Sequence, residues 1–292
     1  MKTMLLLLAA IFLASCQPDP QEAPSNQIMV SILPQKYFVE RIVGSRFEVH
    51  VMLSPAQCPE TYEPTPQQMI RLQQFRLYLG IGLIPFEKIL LQKIASFHRK
   101  IEIIDTSRGI EPIRAEHDHS HHAHGGKCHG GEVDPHIWLS PREVKIQLKH
   151  MVEALVKLDP EGKETYTRNY LAFLQEIEEM DRRIADGFRS LERKSFMVYH
   201  PVWSYFARAY GLKQISVEQM GKELDPTSLK KAIDIARKEG IRVIFVQKQF
   251  DTHIAQSVAK EINARIVSLD PLAYDWPRQM DEIVRAFQEA MK

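Results

Sequence analysis

The sequence has few of the features that mark several large classes of protein. It carries only three cysteines in 292 residues, Cys16, Cys58 and Cys128, so no disulfide framework can hold the fold together. Its 38 basic and 37 acidic side chains nearly cancel, so net charge favours neither nucleic acid nor an anionic surface as a partner. It also lacks a P-loop, an H-E-x-x-H zinc motif and a complete dinucleotide-binding fingerprint.

The start of the chain has a basic residue, Lys2, followed by a short apolar run over residues 4–13. That run is too short to cross a bilayer, which takes roughly 20 apolar residues. It is typical of a secretory signal peptide. Its last residues, Leu-Ala-Ser-Cys, resemble the lipobox of bacterial lipoproteins. We therefore expect residues 1–15 to be removed, Cys16 to be acylated as the membrane anchor, and the polar, proline-rich residues 16–27 to form a linker.

The remaining chain, residues 28–292, is too long for one typical core and predicts two domains. Strand-length apolar runs alternate with helical patterns in residues 28–140, and the same rhythm returns in residues 194–292. Such alternation predicts parallel sheets covered by helices. Residues 141–193 are helical in pattern throughout, and residues 161–193 form one unbroken amphipathic helix. The predicted fold is α/β, with two small parallel-sheet lobes joined by one long rigid helix.

A histidine-rich segment, residues 116–131 (EHDHSHHAHGGKCHGG), holds half of the chain's 12 histidines. Neutral imidazole is a good ligand for zinc, copper, iron and nickel. The glycines and the lack of apolar residues predict a disordered loop, whose alternative interpretation is a solvated insertion without a metal role. We expect weak auxiliary metal binding here. The residues concerned are His117, His119, His121, His122, His124 and His129.

Four further side chains with metal-binding groups lie where predicted strands end or helices begin: Glu60, His136, His200 and Asp270. In open α/β sheets, ligands bind at the carboxyl ends of the strands. Two of them also have an ordinary explanation, His136 as a structural histidine and Asp270 as a turn or helix cap. Because two lie in each half of the chain, they predict one metal site in the cleft between the lobes.

Several motifs together resemble a known family, the zinc- or manganese-binding components of bacterial ABC metal importers (ZnuA-like and TroA-like proteins). The motifs are Ser31-Ile32-Leu33-Pro34, Tyr62-Glu63-Pro64-Thr65-Pro66, Asp134-Pro135-His136-Ile137-Trp138 and Leu269-Asp270-Pro271-Leu272. The resemblance implies two α/β lobes joined by a long helix, with one metal held between them. It assigns three of the ligands to His136, His200 and Asp270. The remaining ligand is usually a histidine in the family, and Glu60 stands at its position.

The ligand set of two imidazoles and two carboxylates leaves zinc and manganese as candidates. Carboxylates favour manganese, whereas zinc ranks above manganese in affinity for most mixed sites, and the histidine-rich loop is typical of the zinc branch. We therefore predict Zn²⁺, with Mn²⁺ as the alternative. The sequence leaves open whether Cys58 and Cys128 pair, bind metal or stay free.

The predicted function is high-affinity capture of extracytoplasmic Zn²⁺ and its delivery to the permease of a membrane ABC importer. We expect a monomeric lipoprotein in the periplasm or on the cell surface, with the membrane and the permease as partners, no nucleic acid, and no enzymatic activity. The alternatives are a manganese- or iron-binding importer component, a zinc-dependent hydrolase with Glu63 as its base, and a surface adhesin with a structural metal.

The histidine-rich segment is expected to be dispensable for tight binding. A flexible segment must lose conformational entropy to build a closed ligand shell, so it should bind weakly and with mixed stoichiometry. Deleting residues 116–130 should remove the weak sites and leave one strong site, as measured by titration calorimetry. A deleted protein that no longer retains one equivalent of zinc would contradict this.

Overall fold

The computed structural model describes residues 26–54, 57–90, 101–114, 133–219, 222–248 and 253–292. The predictions for the signal peptide, the acylated Cys16 and most of the linker lie outside these residues. So do the six histidines of the histidine-rich segment. None of the helices in the described ranges is long and apolar enough to cross a membrane.

The first lobe is built on a four-stranded parallel sheet with the strand order β2-β1-β3-β4. Helix α2 begins at a capping box, in which Thr65 and Gln68 satisfy each other's backbone N–H groups. Helix α1 begins with a proline at its first turn and ends at Gly44, whose φ of 60° suits glycine. The elements are β1 (Gln27–Val30), α1 (Leu33–Val43), β2 (Glu48–Val51), α2 (Pro66–Arg71), β3 (Leu77–Gly80), α3 (described over residues 85–90) and β4 (Glu102–Asp105).

The second lobe repeats this plan with a parallel sheet of strand order β10-β9-β5-β6. A short antiparallel pair, β7 and β8, follows the edge strand β6. The elements are β5 (Ser195–Val198), α6 (Ser204–Tyr210), β6 (Lys213–Ser216), β7 (Glu218–Gln219), β8 (Lys222–Glu223), α7 (Pro226–Lys238), β9 (Val243–Gln247), α8 (His253–Ile262), β10 (Arg265–Leu269) and α9 (Trp276–Met291). The predicted fold class, two parallel-sheet lobes with a long helix, is confirmed.

Two helices connect the lobes, α4 (Pro141–Leu158) and α5 (Lys163–Arg189). The 27 residues of α5 give it a length of about 40 Å. It is shorter than the predicted helix over residues 161–193 because Pro160–Gly162 forms a separate 3₁₀ turn and Ser190 ends the helix. One stripe of α5 is buried, and charged side chains occupy the other faces. The buried residues are Tyr166, Phe173, Ile177, Met180, Ile184 and Phe188.

The buried stripe of α5 is part of a hydrophobic core that continues from one lobe into the other. Towards the first lobe, the ring of Phe173 lies 5.9 Å from that of Tyr37 and 6.0 Å from that of Phe38, both on α1. Towards the second lobe, the ring of Phe188 lies 5.8 Å from that of Phe206 on α6. Helix α5 therefore packs against both lobes.

Substitutions on α5 should distinguish the residues that form this shared core from those on the exposed surface of the helix. Phe173, which is 1% exposed, contacts the first lobe, so Phe173→Ala should lower the free energy of unfolding by about 3–5 kcal/mol. The matched control is Leu171→Ala on the same helix, where the side chain is 55% exposed and the change should stay within about 0.5 kcal/mol. Urea denaturation measures both, and equal effects would contradict the packing described here.

Candidate metal site

Three side chains that are far apart in sequence meet between the lobes. Glu60 Oε1 lies 2.8 Å from His136 Nε2 and 3.2 Å from His200 Nε2. One donor atom from each residue lies within 4.8 Å of the other two. In the part of the chain that the structure describes, this is the one cluster of three or more histidine, cysteine or acidic side chains arranged to hold a metal ion.

Each of the three side chains is positioned by a short segment next to a regular element. Glu60 follows β2 and lies in a turn. Within this turn, Thr61 N–H donates a hydrogen bond of 3.3 Å to the Cys58 carbonyl. His136 precedes the 3₁₀ turn that leads into α4. His200 follows β5, at the carboxyl edge of the second sheet. This edge is where a doubly wound sheet binds its ligands.

A short backbone bridge holds the segment of His136 in place. Arg114 and Val133 form an isolated antiparallel β-bridge, and the next N–H, of Asp134, donates to the Ile113 carbonyl at 2.9 Å. These contacts join the two ends of the segment between residues 114 and 133. They bring the chain back at a defined point, three residues before His136.

A buried carboxylate stands behind each imidazole. Asp134 Oδ1 accepts hydrogen bonds from His136 Nδ1 at 2.8 Å and from the His136 backbone N–H at 2.9 Å. Glu218 Oε2 accepts a hydrogen bond from His200 Nδ1 at 2.9 Å. Both Nδ1 atoms therefore carry protons, and both Nε2 atoms point towards Glu60. Such carboxylate–histidine pairs orient metal-binding imidazoles and increase their basicity.

Asp134 and Glu218 were not among the residues predicted for the site. Asp134 lies two residues before His136, a spacing from which a side-chain contact could have been inferred. Glu218 follows β6 at the same sheet edge as His200, so the strand-end rule could have included it. Nothing in the sequence indicates that its side chain turns towards His200.

The three charged groups shift one another's pKa values. Burial disfavours a charge on His136, but Asp134 and Glu60 outweigh it and raise the pKa of His136 to about 9. Burial likewise opposes the charge on His200, and hydrogen bonds to Glu218 and Glu60 raise its pKa. Burial also opposes the charge on Glu60, but His136 and His200 hold the pKa of this carboxyl well below its usual range.

Asp270, the fourth predicted ligand, is not part of this cluster of three. It follows β10, where Oδ1 accepts the Leu272 N–H at 3.0 Å and Oδ2 lies 4.0 Å from Lys248 Nζ. The turn-capping role considered for this residue is therefore present. The next two residues, Pro271 and Leu272, line the cavity at the cluster. A ligand role for Asp270 stays a prediction.

The cavity at the cluster measures about 10 Å³, room for one ion or one water molecule. Besides the three ligand candidates, its wall is formed by Cys58, Pro59, Trp138, Val202, Gln247, Pro271 and Leu272. Two imidazoles and a carboxylate are donor types that zinc accepts, so the residues present fit a zinc ion.

Two tryptophans connect the segment of His136 to the second lobe. Trp138 Nε1 donates to the Pro271 carbonyl at 2.8 Å, and Trp276 Nε1 donates to the Trp138 carbonyl at 2.7 Å. Tyr205 of α6 donates its hydroxyl proton to the Asp134 carbonyl at 2.9 Å. His136 is thus held against the second lobe, although the sequence analysis assigned it to the first.

The fold and the cluster define a class: a two-lobed metal-binding protein with a buried site between its lobes. The family model described as zinc-uptake complex component A, periplasmic, matches residues 28–290. The chain belongs to this zinc-binding family, as the sequence motifs predicted.

Individual relatives agree with this assignment. The chain is 26% identical over 281 residues to the zinc-binding lipoprotein AdcA of Streptococcus pneumoniae strain R6, covering 93% of this chain and 56% of that relative. It thus spans about half of the length of AdcA. It is 28% identical over 285 residues to the high-affinity zinc uptake system protein ZnuA of Bacillus subtilis strain 168, covering 92% and 88% of the two chains. A crystal structure of ZnuA superposes with a TM-score of 0.82 and 35% identity, covering 92% of this chain and all of that one.

The raised pKa of His136 predicts how metal affinity depends on pH. At a pH below this pKa of about 9, the imidazole of His136 carries a proton on Nε2 that an incoming ion must displace. Zinc affinity should therefore rise between about pH 6 and pH 8, by about tenfold per pH unit for each proton released. Competition with a chelator of known affinity measures this.

Two variants control for the source of this pH dependence. Asp134→Asn removes a charge that raises the pKa, so the rise in affinity should move to lower pH. His150→Gln changes a histidine on α4, outside the cluster, and should leave the profile as it is. A zinc affinity independent of pH over this range would contradict the protonated state assigned to His136.

Proposed function

We propose that the protein captures Zn²⁺ outside the cytoplasm through Glu60, His136 and His200, and passes it to the permease of an ABC importer. The observation that carries the proposal is the convergence of these three donor groups in a chain of the zinc-uptake family. Family membership alone would leave the site undefined. Three donors within reach of a single ion supply a concrete place for the cargo.

The donor set favours zinc over manganese. Imidazole nitrogen is a preferred ligand of zinc, whereas manganese is typically bound by carboxylate, carbonyl and water oxygens. Two of the three donors are imidazoles, and each is made more basic by its carboxylate partner. The relatives named above as zinc-binding and zinc-uptake proteins support the same choice.

The burial of the site supports capture rather than catalysis. The side chains of His200, His136 and Glu60 are only 1%, 5% and 9% exposed. A hydrolase would need space for a substrate beside its metal and a base directed at it. The cavity at the cluster has room for a single ion. Glu63, the base of the hydrolase alternative, is exposed and lines a separate cavity of about 360 Å³, whose wall includes Glu60 but neither His136 nor His200. We therefore propose a carrier without enzymatic activity.

The remaining parts of the proposed function rest on the sequence and on the relatives. Acylation of Cys16 would keep a monomer at the membrane, next to the permease. AdcA of Streptococcus pneumoniae is named a zinc-binding lipoprotein, which supports such an anchor. The proposed location is the periplasm or the cell surface.

Titration calorimetry with substitutions at Glu60 tests the site. Glu60→Ala should weaken zinc binding at least about tenfold, because it removes a coordinate bond and leaves two buried imidazoles without their common partner. Glu60→His should retain zinc and bind manganese less well, since it replaces a hard anionic ligand by a neutral nitrogen. His136→Ala and His200→Ala should each weaken zinc binding by orders of magnitude.

Glu63→Ala is the matched control, because this exposed carboxylate lies three residues further along the chain. It should leave zinc affinity unchanged. A loss of less than about 1 kcal/mol in Glu60→Ala, the size expected for a solvent-exposed charge, would remove Glu60 from the site. Asp270→Asn, measured in the same series, decides whether the fourth predicted residue binds the ion.

A further inference from the structure

Cys58 is the side chain at the cluster to which the proposed function gives no role. It is a free cysteine that lines the same cavity as Glu60, His136 and His200. Its thiol donates a hydrogen bond to Glu60 Oε2, with Sγ 2.7 Å from that oxygen. The other oxygen of the same carboxylate, Oε1, contacts both imidazoles. The sulfur is therefore separated from the imidazole nitrogens by a single carboxylate group.

The cavity wall also carries a buried polar atom without a partner. Gln247, at the end of β9, is 1% exposed and donates from Nε2 to the His200 carbonyl at 3.0 Å. Its Oε1 has no hydrogen-bond partner among the residues that the structure describes. A buried carbonyl oxygen left unpaired is unusual in folded proteins. Its place on this wall fits an occupant of the cavity that is cationic or donates a hydrogen bond.

A tetrahedral zinc ion held by Glu60, His136 and His200 has one coordination position left for another donor. Cys58 lies on the cavity wall, whereas Asp270 does not line it and already caps the turn at Leu272. Among the remaining wall residues, Pro59, Trp138, Val202, Pro271 and Leu272 offer no side-chain group that zinc accepts, and Gln247 offers only a neutral amide oxygen. Of these groups the cysteine sulfur is the one that zinc prefers.

We propose that Cys58 Sγ is a ligand of the captured ion, an inference that rests on the proposed function of the site. On binding, the S–H bond breaks, the proton leaves to solvent and a zinc–sulfur bond of about 2.3 Å forms. The sulfur lies outside the group of donor atoms that are mutually within 4.8 Å, so it must move inwards. The turn that carries it follows β2 and is held by local hydrogen bonds, among them Thr61 N–H to the Cys58 carbonyl and Gln57 N–H to the Ser54 carbonyl, each at 3.3 Å.

A cysteine ligand makes the site selective for zinc. Glu60 and a Cys58 thiolate together supply two negative charges, which neutralise a divalent cation. The thiolate is a soft ligand that selects zinc and disfavours manganese. The carboxylate at position 60 acts in the opposite direction. Cys58 thereby restores the preference for zinc that Glu60 weakens, and both residues lie on the same turn.

Cobalt substitution tests the proposal directly, because a thiolate bound to Co²⁺ produces a near-ultraviolet charge-transfer band that nitrogen and oxygen ligands do not. The parent protein is the full chain with Cys16→Ser and Cys128→Ser, which leaves Cys58 as the one cysteine. Titrating Co²⁺ should give this band, complete at one equivalent. In Cys58→Ser, Co²⁺ should still bind, as shown by its visible absorption, but without the band.

Affinity measurements complete the test. Cys58→Ser should weaken zinc binding at least about tenfold, because removing a ligand should cost no less than removing one of the hydrogen-bond partners that support a ligand. The affinity for manganese should change by much less. Glu63→Ala, at an exposed position further along the chain, should keep both the band and the affinity. A parent protein that binds cobalt without the band overturns the proposal and leaves the proposed function intact. A parent that binds neither cobalt nor zinc overturns both.

Discussion

The pairing of each imidazole in the cluster with its own buried carboxylate is the interaction on which the candidate site depends. Two histidines packed side by side would repel each other if both were charged, and would lose hydrogen bonds if both were neutral. Asp134 and Glu218 remove this conflict by accepting the Nδ1 protons. They leave both Nε2 atoms directed at one point. Glu60 meets the imidazoles there and holds the site together by charge attraction.

The three side chains of the cluster are not attached to the two lobes in the same way. His136 and His200 are both attached to the second lobe, the first through the tryptophan and tyrosine hydrogen bonds and the second at the end of β5. Glu60 comes from the first lobe on a short turn. The shared core along α5 limits rotation of one lobe against the other.

The fold and most of the site could be predicted from local sequence patterns. Alternating strand and helix periods located both sheets, and the strand-end rule selected Glu60 and His200, because these signals depend on neighbouring residues only. The partners behind the histidines could not be predicted in the same way, since the contact of Glu218 with His200 joins two strand ends through side-chain directions. Asp270 was placed correctly at the end of β10, but the bend at Pro271 gives its carboxylate a turn to cap, which no periodicity indicates.

The bridge between Arg114 and Val133 has a consequence for how this chain can vary over evolution. Because the strand-like pair closes the excursion at its base, the residues in between can be inserted, deleted or exchanged without displacing Asp134 and His136. The entropic cost of a longer closed segment grows slowly, by about 0.6 kcal/mol for each doubling of its length. Selection can thus change the length and the histidine content of this segment independently of the buried cluster.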